Sequence, residues 1–473
     1  GGIMMRRCHQ HRAWPRQRSS DLPPRRGGGI FLYREQWRAM RNEQDRLADA
    51  CVHVATLEAK VREDHSALVQ APLSLMRAAT ESATLPGLNR TPDDAMRIET
   101  KLPKVGTTIF TVMSQLAVQH KAVNLGQGFP DFDGPELMRD ALNRAMHEGK
   151  NQYAPMTGIP KLREQIALKT QALYGRAVNA DSEVTVTSGA TEALFCAIAA
   201  IVRPGESVIV LDPCYDSYEP AIELNGGKAI HVPLDSETFA VDWQRVNDAV
   251  EKGTRAILVN SPHNPSGAVF SAADLDALAE IARRHDLIVI SDEVYEHIIF
   301  DGIAHQSVLR HPELAERSFV ISSFGKTYHC TGWKVGYCIA PPALSVEFRK
   351  VHQYVTFCTF SPAQWALAEV IERLPSHYLE LPAFYQEKRD RFRALLADTP
   401  LRLLPVCGAY FQIVDYAAIS DRDDMSFCEW LAREVGVAAI PVSAFYETPP
   451  ESKLIRFCFA KTDATLEAAA ERL

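Results

Sequence analysis

From Lys101 to the C-terminus, hydrophobic positions follow two alternating patterns. Short apolar runs occupy residues 183–187, 207–211, 255–260, 287–291, 319–322 and 335–340. Several are continuous, as in strands covered on both faces. Between them lie stretches of helical period, such as 272–285, where Leu275, Leu278, Ala279 and Ala282 repeat along one face. Strand–helix–strand alternation predicts an α/β fold with a largely parallel sheet between helices. After about Ser361 longer helical stretches take over, with separate strands at 409–414 and 454–459, which predicts a smaller α+β unit. No solenoid-like repeat is present.

The first hundred residues differ. Residues 1–41 are rich in Arg, with Asp21 and Glu35 as the only acids, and they carry Gly27-Gly28-Gly29 and Pro23-Pro24. Such a stretch builds no core. Mitochondrial transit peptides share the Arg-rich, acid-poor composition, but no long apolar face alternates with these arginines, and the chain opens on Gly. Upstream sequence translated ahead of a start at Met96 fits better. A charged, weakly amphipathic helix is expected over 34–71, and residues 1–95, read as a disordered or spurious extension, are assigned no function.

Composition narrows the field. Of 473 residues, 46% are hydrophobic and 23% charged, the balance of a globular protein. No apolar run reaches the roughly 18 residues needed to cross a bilayer, so a membrane protein is not expected. A net charge of −8 offers no basic field for nucleic acid. The ten cysteines are scattered singly, without C-x-x-C or metal-ligand spacing. Buried free thiols in a reducing, cytoplasmic compartment are expected, and no metal.

In open α/β sheets, ligands sit beyond the carboxyl ends of strands, and polar residues gather at four such points. Ser188-Gly189-Ala190-Thr191 joins a strand to an apolar helix, leaving N–H groups and the Thr191 hydroxyl available to a phosphate; alone it reads more readily as an ordinary N-cap by Thr191 or Ser188. Asn260-Ser261-Pro262-His263-Asn264-Pro265 makes a rigid loop with an outward amide, or a plain turn. Asp292, closing another apolar run, could pair with a cationic ring nitrogen, with Tyr295 one helical turn on; capping of the next helix is the alternative. Lys326 follows a strand and Gly325, placed to form an imine, and Lys334 between glycines adds a cation suited to phosphate. Each piece alone is weak. In order along the chain, they supply an imine lysine, a partner for a pyridinium nitrogen, donors to a ring hydroxyl and a phosphate cup. Those are the contacts of pyridoxal 5′-phosphate (PLP).

The stretches KLPKVGTTIFTVMSQLA, NLGQGFPDFDGPELM, NQYAPMTGIPKLRE, VISDEVYEHI, SSFGKTYHCTGWKVGYCIAP, KVHQYVTFC, GVAAIPVSAFY and KLIRFCFAK span the chain after residue 100. This part resembles the class I aminotransferases of PLP fold type I, the aspartate-aminotransferase-like fold. It looks especially like bacterial methionine aminotransferases, with kynurenine aminotransferases and cysteine-S-conjugate β-lyases as near relatives. The resemblance implies that Lys326 bears the cofactor, Asp292 faces its ring nitrogen, Tyr295 and Asn264 donate to its hydroxyl and Tyr215 stacks on its ring. Ala190, Thr191, Ser323 and Lys334 match the phosphate cup. Tyr153 matches a tyrosine that reaches the phosphate of the other subunit, which implies a homodimer with shared active sites. Arg456 matches the clamp on the substrate α-carboxylate and Gly128 the backbone contact beside it; Phe110 and Phe357 fall where relatives place pocket walls. Ser266 stands where many relatives have Thr, and Lys334 where many have Arg, which gives up bidentate geometry.

The implied layout is an N-terminal arm with part of the small domain at 96–140, a large PLP-binding domain at 141–365 and a small C-terminal domain at 366–473. The implied activity is transamination of methionine and other apolar or aromatic amino acids with a 2-oxo acid acceptor. A kynurenine or aromatic aminotransferase and a cysteine-S-conjugate β-lyase would keep the same cofactor residues. A transcription regulator using this fold as a sensor would need a helix-turn-helix ahead of it, and residues 1–95 show none.

Overall fold

A short strand, β1 (Val123–Asn124), precedes the seven strands of the main sheet: β2 (Val184–Thr187), β3 (Ser207–Asp212), β4 (Lys228–Pro233), β5 (Thr254–Asn260), β6 (Ile288–Asp292), β7 (Ser318–Ser323) and β8 (Gly336–Ile339). The computed structural model describes residues 99–473; the start at Met96 and the helix expected over 34–71 lie outside the described residues. The six apolar runs correspond to β2, β3 and β5–β8. The run criterion missed β4, because this edge strand buries only Val232 fully and leaves Lys228 and Pro233 exposed.

The strand order is β2-β8-β7-β6-β5-β3-β4. All pairs are parallel except those of β8, which runs antiparallel to both β2 and β7. Side chains alternate between two cores, as strand geometry requires. On β3, Ile209 and Leu211 enter one core, with Val259 and Val289. Val208 and Val210 enter the other, with Leu258, Ile290 and the helix Ala190–Ile201. The helix expected at 272–285 forms as Ala272–Arg284, opened by a capping box between Ser271 and Asp274.

Five further strands follow: β9 (Arg402–Leu403), β10 (Phe411–Asp415), β11 (Val437–Ala438), β12 (Ile440–Pro441) and β13 (Leu454–Cys458). β12-β13-β10-β9 form an antiparallel sheet, and β11 pairs in parallel with β1. The strand expected at 409–414 begins two residues late, because Ala409 adopts a left-handed φ of 56° that cannot continue a strand. A third core joins this sheet to the helix Ile109–His120 through Met113, Ala117, Phe427 and Phe457.

Topology places the site. The carboxyl ends of β2, β3, β5, β6 and β7 open on one edge. Because β8 runs the other way, the residues leading into it, Lys334 and Val335, return to that same edge.

Candidate active site

A cavity of about 310 Å3 opens at this edge, and all the candidate residues line it except Tyr153 and Phe357. Lys326 follows β7 in a single helical turn, Phe324–Thr327. Its Nζ donates to Gly128 O at 3.1 Å and to Tyr410 Oη at 3.0 Å. Burial, with Arg456 and Lys334 nearby, pulls its pKa down to about 8, against the opposing pull of Asp292.

Asp292 ends β6 and is buried. It accepts from the Tyr218 hydroxyl at 2.7 Å and from Val294 N–H at 3.2 Å. Burial still outweighs these donors and pushes its pKa up to about 6. The carboxylate therefore lacks a full counter-charge and would gain from a cationic group placed in the cavity. Its predicted companion Tyr295 is buried, with its ring edge-on to Tyr410 at 5.1 Å.

The anion side is equally incomplete. The helix Ala190–Ile201 starts from Gly189 with no side-chain cap, so the alternative of an ordinary cap by Ser188 or Thr191 does not hold. Ala190 and Thr191, at its start, line the cavity with Lys334, and a Cβ on Gly189 would meet Lys334 Cε at 3.2 Å. An open helix N-terminus next to an ammonium is a place for a phosphate.

Arg456, on β13, is 1% exposed. Its Nη1 donates to Asn264 Oδ1 at 2.8 Å and its Nη2 to Gly126 O at 2.9 Å, while its Nε has no partner. The guanidinium lies 4.0 Å from the Phe411 ring centroid and 5.4 Å from that of Phe110. Burial pulls its pKa down to about 10, and among the described residues it forms no ion pair with a carboxylate. This cation is built for a visiting anion. Because Asn264 Oδ1 accepts from Arg456, the Asn264 amide N–H group remains to donate.

Tyr153 and Phe357 stand elsewhere. Both are exposed, Tyr153 at 83%, and their rings pack edge-on at 5.4 Å. Sequence reasoning missed Tyr218, which anchors Asp292, and Tyr410, whose hydroxyl donates to Gly128 O at 2.6 Å. Neither partner is near in sequence, and neither tyrosine sits in a motif that announces it.

The crevice thus gathers an amine, a buried carboxylate, an uncapped helix N-terminus and a guanidinium without a carboxylate partner. The chain belongs to the class I and II aminotransferases, whose family model matches residues 120–473. It is 56% identical over 375 residues to the methionine aminotransferase of Escherichia coli (strain K12), covering 79% of this chain and 97% of that one. The solved structure of YbdL from Escherichia coli, described as having a methionine aminotransferase function, superposes with a TM-score of 0.78 at 55% identity, covering 80% and 99% of the two chains. Human kynurenine–oxoglutarate transaminase 1 is 34% identical over 393 residues, 76% of this chain and 93% of its own.

Proposed function

We propose that this aminotransferase binds PLP in the crevice and transfers the amino group of methionine, and of similar apolar or aromatic amino acids, to a 2-oxo acid. The observation that carries the reading is the set of unmet groups converging there: an uncapped helix N-terminus beside Lys334, the counter-ion-poor Asp292, and Lys326 between them. The donor set fits PLP, with Ala190, Thr191, Ser323 and Lys334 for the phosphate, Asp292 for the ring nitrogen and Tyr215 against the ring. Bound PLP supplies the electron sink for the charge left when the substrate loses its Cα proton.

The chain's own residues do the rest. Arg456 takes the substrate α-carboxylate as a charge-assisted pair, on a guanidinium already oriented by Asn264 and Gly126. Asp292 holds a proton on the ring nitrogen. Lys326, with its amine brought to about 8, lies in the range where it both takes and returns a proton near neutral pH. Lys326→Ala is expected to abolish turnover; near-wild-type activity would overturn the assignment.

Apolar side chains meet Phe110 in this chain. The placement of Tyr153 and Phe357 on the surface supports a homodimer in which each completes the other subunit's site, and sedimentation as a single chain at micromolar concentration would overturn it. Methionine as donor rests on the 56% identity more than on a single contact, since one methylene in an apolar pocket is worth only about 1–3 kcal/mol. Comparing methionine with kynurenine and phenylalanine as donors decides among them; a preference for kynurenine would overturn methionine. Cores gathered separately around the main sheet and around β10–β13 support a large and a small domain, but the helices Glu136–His147 and Ser361–Arg373 run through the expected boundaries at 140/141 and 365/366. Every cysteine among the described residues is free, which supports the cytoplasm, and among those residues no helix is long and apolar enough to cross a membrane.

A further inference from the structure

We infer that Glu192 and His352, which do not line the cavity, are positioning residues that hold the phosphate cradle open; the inference rests on the PLP reading of the site. The cradle presents a mechanical problem. A Ser, Thr or Asp at the N-cap would bond to the N–H groups of the first turn, the groups a phosphate needs. Glycine leaves them free, but Gly189 sits at φ 81° and ψ 170° with no side chain to fix it, a region populated almost only by glycine. Something else must hold the chain as it enters the helix.

Glu192 does so from within the first turn. Its Oε2 accepts from the Ser188 backbone N–H at 3.0 Å, while the Ser188 hydroxyl donates to Thr359 Oγ1 at 3.1 Å. Ser188 is thus gripped on both sides, immediately before Gly189. The other carboxylate oxygen, Oε1, accepts from the Cys196 thiol at 2.9 Å and from His352 Nδ1 at 2.8 Å. His352 is fully buried and the Glu192 side chain is 9% exposed, so the geometry of the pair is not averaged by solvent.

His352 in turn holds Glu192. His352 Nε2 lies 3.0 Å from Met156 O, and a carbonyl can only accept. Its Nδ1 faces the Glu192 carboxylate at 2.8 Å, so the ring bridges Glu192 to the Met156 carbonyl and keeps the carboxylate aimed at Ser188. The same ring ties the cradle to the turn at Met156, three residues from Tyr153.

The test separates the phosphate from the rest of the cofactor. Dissociation constants for PLP and for pyridoxal, which has the same ring and aldehyde but no phosphate, are measured on the full chain and on E192Q, E192A and H352Q, with circular dichroism to confirm folding. The ratio of the pyridoxal constant to the PLP constant isolates the cradle. E192A and H352Q are expected to lower that ratio by about tenfold or more, as for a lost buried charge-assisted bond, while pyridoxal affinity stays within about twofold. E192Q, which keeps an acceptor for Ser188 but not the charge, should fall between, and it decides the matter if the larger changes prevent folding. A wild-type ratio in E192Q and in whichever other variants fold, or a parallel loss of both affinities, would overturn the inference. If the unmodified chain itself fails to prefer PLP over pyridoxal, the PLP reading of the site falls instead.

Discussion

Replacing Arg456 with Lys keeps the charge and removes the fork. Nη1 and Nη2 are fixed by Asn264 and Gly126 at 2.8 and 2.9 Å, and the guanidinium rests 4.0 Å from the Phe411 ring centroid. A lysine ammonium has none of this planar support and presents a single point charge. Hydrogen bonds to charged groups contribute about 1.5–3 kcal/mol each. Losing one of two such bonds to a substrate carboxylate, together with the orientation of the other, is expected to cost about 3 kcal/mol. At about 1.4 kcal/mol per decade that is roughly a hundredfold in affinity. The assay is the half-reaction of the PLP-loaded enzyme with L-methionine and, in parallel, with 3-(methylthio)propylamine, which lacks the carboxylate. R456K should weaken methionine about a hundredfold and leave the amine almost unchanged. Equal effects on the two substrates, or no effect on methionine, would refute the role of Arg456.

Two predictions come from the buried titratable groups. Lys326 in the cofactor-free chain should react with an acylating reagent with a midpoint near pH 8, its folded-state pKa, whereas surface lysines follow the ordinary value near 10.4; peptide mapping across pH reads this, and a midpoint above 10 would contradict it. Asp292, raised to about 6, binds more protons folded than unfolded between the ordinary carboxylate value of 3.8 and about pH 6. Its ionisation therefore costs the cofactor-free fold stability that is lost as pH rises through that window. D292N should melt a few degrees above the cofactor-free wild type at pH 7.5 and no higher below about pH 4, while losing transamination; an unchanged or lower melting temperature at pH 7.5 would contradict the burial argument.

Much of the fold and the site was legible because both depend on local features. Continuous apolar runs mark strands covered on both faces, and Asp292, Asn264 and Lys326 stand where such runs stop. What escaped depended on tertiary placement. β4 lies at an edge, half-covered, and carries no continuous run, and the reversal of β8, which returns Lys334 to the cavity, leaves no trace in hydrophobic pattern. Tyr218 reaches Asp292 and Tyr410 reaches Gly128 across long spans of chain. Glu192 in SGATEA reads locally as a first-turn acid, and its link to His352 exists only once helix Pro342–Val355 has packed against helix Ala190–Ile201.

The central claim, that this crevice carries PLP and takes the amino group of methionine, is tested most directly by the visible spectrum of the PLP-loaded protein before and after L-methionine is added without a 2-oxo acid. The account predicts that the yellow band gives way to the pyridoxamine phosphate spectrum with release of one equivalent of 2-oxo acid. A band that stays yellow would reject methionine as the donor and turn the search to aromatic amino acids and cysteine conjugates, and a protein that never acquires the band would contradict the site itself.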